Sequence, residues 1–520
     1  MEQHHGSESY FVLGEGLLGE SRGGRERTLA AALEADTPPF RFSRMGPSGV
    51  GKQLGDPILN KIASAMTSGS ASQSQIPAGF TYVGQFVDHD LTFDKTDVML
   101  GDNVTPAELI QARSPSLDLD SVYGNGPNDP GSAHLYEADG LHLKMGKTDS
   151  AGGFPGKQGF DLLRGAGSTI DEKRKAIIAD ERNDENLAIA QLHLAMIRFH
   201  NRVVDTLDSS IPPANRFGRA RQKVVKHYQW MLKTDYLPRI CAPGVVSNVF
   251  NQGRKVFEAD ADPMEVPTMP IEFSVAAFRL GHSMIRDAYN WNVAFDAGAG
   301  TLLWLFIFTG KSGDLGGLPR LAANWTADFR RLFDYSETPV ARPPLVVPAA
   351  KFNRAMRIDT KIANTLATLP GLTGPDANLA LRNLKRAKMV KLATGQQMVA
   401  FMKNKGVNVT KLTNAQIRDG NNGASLASLT PAQRSLLFQR TPLWFYILRE
   451  SEFNGGKLKG VGARIVAETF HRAMEGSNHS IVRDTNFKPS LGPNNQTFRM
   501  TDLLFFAFEG KKALINPLGD

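Results

Sequence analysis

Residues 185–205 read ENLAIAQLHLAMIRFHNRVVD, and Ile189, Leu192, Met196, Phe199 and Val203 recur there at intervals of three and four. That spacing lines one face of a 3.6-residue period, so the segment predicts a long helix with a single buried stripe. Outward from it, comparable patterns predict helices over residues 218–237, 271–288, 377–392, 431–450 and 462–475. Thr430-Pro431 and Thr441-Pro442 each set a hydroxyl cap before a proline suited to the first helical position. Stretches rich in Gly, Pro or Asn at residues 124–132, 150–167, 339–348 and 419–424 predict loops. Alternating strand patterns are scarce and no internal repeat is visible. The expected fold is mostly α, one large helical domain with few short strands, spanning residues 41–520 behind a partly flexible extension at 1–40.

Composition narrows the function classes. With 41% hydrophobic residues and 30 Phe, a disordered chain is excluded. Cys241 is the only cysteine, which forbids an intrachain disulfide and favours a reducing compartment or a bacterial source. The longest apolar run, residues 302–308, is far below the roughly 18 residues of a membrane-spanning helix. Residues 1–10 are polar and show no conventional secretory signal, so a cytoplasmic location or non-classical export is expected. The net charge of +8 is diffuse and contains no basic block, which argues against a nucleic-acid partner. No pattern encodes an oligomeric state.

Five segments carry residues suited to chemistry. In residues 79–94, GFTYVGQFVDHDLTFD, a helix would align Gln85, Asp88, His89 and Thr92 as a polar stripe between hydrophobic flanks, like a pocket wall. A partly exposed helix with ordinary surface polar groups gives the same pattern. Asp90 lies about 200° round from Asp88 and faces other neighbours. In residues 114–123, SPSLDLDSVY, the oxygens of Ser114, Ser116, Asp118 and Asp120 alternate. Such a loop, with Asp90 as a third carboxylate, suits Ca2+, which takes about six to eight oxygens; taken alone, the pattern is more often a helix-capping loop or solvated strand edge.

Residues 179–186, ADERNDEN, place Arg182 and Glu185 at the start of the long helix, where an ordinary capping box is the alternative. In residues 278–292, FRLGHSMIRDAYNWN, a helix would put Val275, Phe278, Arg279, His282, Ile285 and Tyr289 on one face, with Gly281 leaving room for a planar ligand. His282 is then an axial metal ligand or a packed core histidine. Asn383, within ALRNLKRAK, can orient a ligating imidazole. A sixth segment, residues 46–52 (GPSGVGK), matches a phosphate-binding loop in spacing, but Gln53 replaces the required Ser or Thr and no apolar strand precedes it.

Taken in order, Gln-x-x-Asp-His-Asp, S-x-S-x-D-x-D-x-x-Tyr, Glu-Arg-Asn-Asp-Glu, Phe-Arg-Leu-Gly-His and Arg-Asn-Leu-x-Arg resemble the animal-type haem peroxidases of the peroxidase–cyclooxygenase superfamily, in a short form similar to bacterial members. The resemblance implies a peroxidase that uses hydrogen peroxide to oxidise halides, thiocyanate or small phenolic donors, with haem b and Ca2+ as cofactors. It implies His89 as the distal base, Gln85 and Arg182 as its distal partners, and His282 as the haem-iron ligand. Asn383 would hydrogen-bond the proximal ring and Arg279 would pair with a haem propionate.

By the same resemblance, Asp90, Ser114, Ser116, Asp118 and Asp120 match a calcium site, Ser116 through its carbonyl. Asp88 and Glu185 match carboxylates that esterify haem, while Asn186 stands where a sulfonium link would need methionine. The cyclooxygenases and fatty-acid α-dioxygenases carry a radical-forming tyrosine three residues before the proximal histidine; Arg279 in that place favours peroxidation over fatty-acid oxygenation. A haem-binding interaction protein without turnover is the remaining alternative, and the presence of His89 and Arg182 speaks against it.

Overall fold

The helix read from residues 185–205 forms as Leu187–Asp205, and the rest of the chain is arranged around it in the computed structural model. Residues 40–69, 71–96, 98–337, 342–369 and 372–520 are described. The expected extension at 1–40 therefore falls outside the described residues apart from Phe40, as do residues 339–341 of one expected loop. Helix outweighs strand, 45% to 8%, as a mostly α reading requires. Four two-stranded sheets are present among the described residues, each only a few residues long. One hydrophobic cluster runs continuously from Phe42 to Ile515.

The Gly79–Leu91 helix is buried on every side. It packs against Leu187–Asp205, which in turn packs on Pro213–Met231 and Met500–Ala507. A helix enclosed all round needs small residues where neighbours press closest. Gly84 meets that need: an added Cβ there would stand 2.5 Å from Tyr236 Oη. Tyr236 is delivered by a π turn, Leu232–Tyr236, that continues the Pro213–Met231 helix, and such turns recur where a side chain must be re-aimed at a site.

Three expected helices are corrected. The long one begins at Leu187 with Asn186 as its N-cap, Oδ1 accepting from Ile189 N at 3.0 Å, so Glu185 precedes the first turn. Residues 431–450 form two helices, Pro431–Gln439 and Leu443–Glu452, because a proline at 442 bars a helical Thr441 and takes the N-cap position itself.

Residues 271–288 are three short turns, Ile271–Ser274, Ala277–Leu280 and Gly281–Met284, after which Ile285 is extended and Tyr289 lies in a strand. Phe273 stacks on Phe278 with centroids 4.5 Å apart. Side chains five apart on a continuous helix diverge by about 140°, so the stack requires the break. The single face expected for Val275 to Tyr289 is thereby lost. The phosphate-loop match is pinned by Gly49 N to Lys391 O at 2.9 Å, and the next helix starts only at Asp56.

A buried acid sets a pH dependence of the fold. Glu450, 5% exposed, faces Val461 N and Gly462 N at 3.5 Å, and burial pushes its carboxyl up to about 8. An acid whose pKa is raised on folding contributes stability that is complete below its ordinary value of 4.5 and lost as pH rises through 8. Glu450→Gln is therefore expected to melt progressively above wild type between those limits. A pH-independent difference in Tm would contradict this.

Candidate functional site

Gln85 and Asp88 from the Gly79–Leu91 helix face Arg279, Gly281 and His282 from the broken turns across a narrow cavity, closed on one side by Tyr236. Two segments nearly 200 residues apart in sequence thus form opposite walls. Thr92, expected as the end of the polar stripe, lies beyond the helix in extended backbone.

On the helix that forms the first wall, next to Asp88 but not itself lining the cavity, His89 is 1% exposed and its Nδ1 lies 2.8 Å from Asn183 Oδ1. An amide oxygen only accepts, so the ring hydrogen sits on Nδ1 and Nε2 keeps its lone pair. The amide nitrogen of Asn183 faces His193 Nδ1 at 2.9 Å; burial pushes His193 down to about 4, so it remains a neutral acceptor. His89 Nε2 is buried without a hydrogen-bond partner; Glu185 Oε1, at 3.4 Å, lacks hydrogen-bond geometry. Asp88 Oδ2 is likewise buried and unpartnered. Gln85 is committed at both ends, donating to Glu185 and accepting from Asn186 Nδ2 at 3.0 Å.

Arg182 is buried behind this wall and does not border the cavity. Its Nε and Nη2 grip Asp180 at 3.0 and 2.7 Å, and Nη2 also donates to the carbonyls of His89 at 2.9 Å and Thr92 at 2.6 Å. The guanidinium lies 4.2 Å over the Phe93 ring. Arg182 and Arg113 hold the Asp180 carboxyl far below its usual range despite burial. Burial raises the Glu185 carboxyl above its usual range, with the Arg182 guanidinium among the groups opposing it.

On the second wall, His282 Nδ1 lies 2.7 Å from the amide nitrogen of Asn383, whose Oδ1 accepts from Arg279 Nη1 at 2.7 Å. Trp444 stands edge-on to the His282 ring, centroids 6.3 Å apart. Arg279 also borders a second recess, walled mainly by apolar side chains and by Arg386. Arg386 Nη2 reaches Asp94 at 3.3 Å, while its Nη1 is buried without a partner. Two guanidinium groups bordering a mostly apolar recess suit a flat apolar ligand with two carboxylates.

These residues fit haem. A histidine with a second-layer asparagine, an unpartnered imidazole nitrogen and carboxylate oxygen opposite it, and two arginines at the edge supply the donor set that such a group demands. Asn183, Asp180 and Arg386 were not singled out from sequence. Asn183 and Asp180 lie inside the ADERNDEN block and Arg386 inside Arg-Asn-Leu-x-Arg, but His89, Arg113 and Asp94, which these three meet, stand far away in the chain.

The expected calcium loop gathers charge without closing a cage. Asp118 accepts from Ser477 Oγ at 2.6 Å and Asn478 N at 3.1 Å, Asp120 pairs with Arg221 at 2.9 Å, and Asp90 accepts from Ser121 Oγ at 3.2 Å. Ser114 Oγ accepts from Ser116 N at 3.3 Å, and Ser116 Oγ donates to the Gly476 carbonyl at 3.2 Å. Burial, then Asp120, push Asp90 up to about 7. Among the described residues no group of three or more His, Cys, Asp or Glu side chains is placed to hold a metal ion, and no helix is long and apolar enough to cross a membrane.

Residues 99–295 match the family model for animal haem peroxidase. A peroxidase-like protein of Margaritifera margaritifera is 29% identical over 211 residues, covering 38% of this chain and 25% of that one. Thyroid peroxidase of Rattus norvegicus is 27% identical over 191 residues, covering 35% and 20%. The aligned stretches thus span a quarter or less of these relatives. In structure, peroxidase A from Dictyostelium discoideum superposes with a TM-score of 0.58 at 14% identity, covering 92% of this chain and 94% of that one. A fatty acid alpha-dioxygenase from Oryza sativa gives 0.53 at 11% identity, covering 88% and 77%. At these identities the likeness is one of fold.

Proposed function

We propose that this chain is a haem peroxidase of the animal type, the family whose model its residues 99–295 match, and that it reduces hydrogen peroxide while oxidising halides, thiocyanate or small phenols. The observation that carries the reading is a pair of buried imidazoles, each fixed by an asparagine: His89 by Asn183 and His282 by Asn383. Haem, held by His282 with its carboxylates toward Arg279 and Arg386, would supply the redox chemistry that cleaves the O–O bond. His89 Nε2 removes a proton from one peroxide oxygen and returns it to the other as that oxygen leaves. Asn183 keeps the second ring nitrogen protonated throughout, so Nε2 acts first as base and then as acid.

Arg182 is a positioning residue. It fixes the carbonyls of His89 and Thr92 and brings positive charge close behind the base. Ligation through His282 Nε2 requires the hydrogen on Nδ1, so Asn383 must then present its oxygen to the ring and release Arg279 toward a propionate. Asp88, with Oδ2 unengaged on the cavity wall, is better placed for a covalent haem ester than Glu185, which is spent on Gln85. Calcium belongs to the same reading: Asp118 turning from Ser477 would join Asp90, Asp120 and the Ser114–Ser116 oxygens. Asp118→Ala is expected to lower haem occupancy, and unchanged haem content would remove calcium from the scheme.

Arg279 occupies the place where an oxygenase tyrosine would stand, which supports peroxidation over fatty-acid oxygenation. The test is an absorption spectrum of haem-loaded protein with and without peroxide, followed by guaiacol, bromide and iodide. A Soret band that shifts and recovers with donor supports the reading. A band indifferent to peroxide, or oxygen uptake with linoleate in its place, would overturn it.

A further inference from the structure

Three of the chain's five tryptophans, Trp291, Trp325 and Trp304, are joined by a hydrogen bond and a ring contact, and Trp291 follows a buried, hydrogen-bonded tyrosine pair by two residues. Tyr82 stands on the Gly79–Leu91 helix between Thr81 and Gln85, both of which line the cavity. Its Oη donates to Tyr289 Oη at 2.8 Å, linking the helix of His89 to the strand that follows His282. Two residues on, Trp291 is fully buried and its Nε1 donates to the Trp325 carbonyl at 2.8 Å. Trp325 is 3% exposed, and its ring centroid lies 6.3 Å from that of Trp304. Trp304 is 45% exposed beside Leu303 at 49%, an apolar surface spot over a stack of aromatic rings.

We propose that Tyr82, Tyr289, Trp291, Trp325 and Trp304 carry electrons inward from the surface, so that electron-rich aromatic donors too bulky for the cavity are oxidised at Trp304. The proposal rests on the peroxidase reading and adds to it a second site and a second substrate class.

Phenols and indoles are the side chains that give up one electron most readily, and this series runs from the helix of His89 to the exposed Trp304 through a shared hydroxyl hydrogen bond, an indole-to-carbonyl hydrogen bond and a ring contact. The shared hydrogen bond matters chemically. Burial raises the pKa of both phenols, which opposes phenolate formation. Once Tyr82 has given its electron inward and its hydroxyl proton to water, it turns from donor to acceptor in the shared hydrogen bond, and a hydrogen atom can pass to it from Tyr289, the O–H bond breaking on one as it forms on the other, without a charged phenol. At the surface each phenolic donor loses one electron to Trp304 and one proton to water. Two donors supply two electrons, and with two protons one hydrogen peroxide becomes two waters.

The test uses the haem-loaded full chain. Peroxide is added without donor and the digested protein is mapped by mass spectrometry. Oxygen adducts are expected on the Trp304 peptide, absent from apoprotein treated alike and diminished in Tyr82→Phe. In parallel, a bulky azo dye is compared with guaiacol: Trp304→Phe is expected to lower the dye-to-guaiacol turnover ratio by about tenfold. A Soret band that responds to peroxide while Trp304 stays unmodified, or while the ratio is unchanged in Trp304→Phe, overturns the path alone. A band that does not respond overturns the peroxidase reading and the path with it.

Discussion

His89→Leu is expected to slow the reaction of haem-loaded protein with hydrogen peroxide by about 10²–10⁴-fold, the usual worth of a positioned acid–base group. The argument is geometric. Asn183 Oδ1, 2.8 Å from Nδ1, fixes the tautomer, and the opposite nitrogen is buried with no hydrogen bond of its own. An unpartnered buried acceptor is costly to the fold, by about 1–3 kcal/mol, so its retention points to use. Leucine removes the base while filling the space, and Asn183→Leu should slow the same step by a smaller factor, since the imidazole remains but its tautomer is no longer imposed. Stopped-flow recording of the Soret change at several peroxide concentrations gives the second-order rate directly. A rate within a few-fold of wild type in His89→Leu would remove His89 from the mechanism.

The sequence made one wall of the site legible and half of the other. Gln85, Asp88 and His89 share a helix because spacings of three and four fix a common face whatever the surroundings, and the helix forms as Gly79–Leu91. Around His282 the same reasoning extends a helix too far, since the Phe273–Phe278 stack is a tertiary preference that overrides local pattern. Arg279 and His282 still share a wall, because a pair three residues apart survives in a short turn.

Asn183 escaped notice for a different reason. Its function lies wholly in partners 94 residues upstream and 10 downstream, and in ADERNDEN nothing separates it from a loop asparagine. Arg182 reads as a residue of the cavity and is found behind it, drawn there by Asp180 and by two backbone carbonyls at the end of the His89 helix. The Asp180 pair is local, but the two carbonyls lie some 90 residues away, and contacts of that kind are decided by what is nearby in space, which spacing does not encode.

His282→Ala is expected to leave the protein folded and without haem, the largest effect on the second wall. His282 is the imidazole on that side bordering the cavity, 1% exposed and backed by Asn383, so no neighbouring nitrogen can replace it as a ligand. Asn383→Leu should retain the ligand but lower haem affinity by about 10–100-fold, the usual cost of losing the partner that orients a ligating histidine. Haem per chain after purification and reconstitution, read by pyridine haemochromogen, separates the two. Imidazole added to His282→Ala provides the discriminating arm, because a truncated ligand leaves a space of its own shape. Recovery of haem binding there identifies the defect as a missing nitrogen rather than a collapsed cavity, whereas full haem content in His282→Ala without imidazole would place the iron elsewhere.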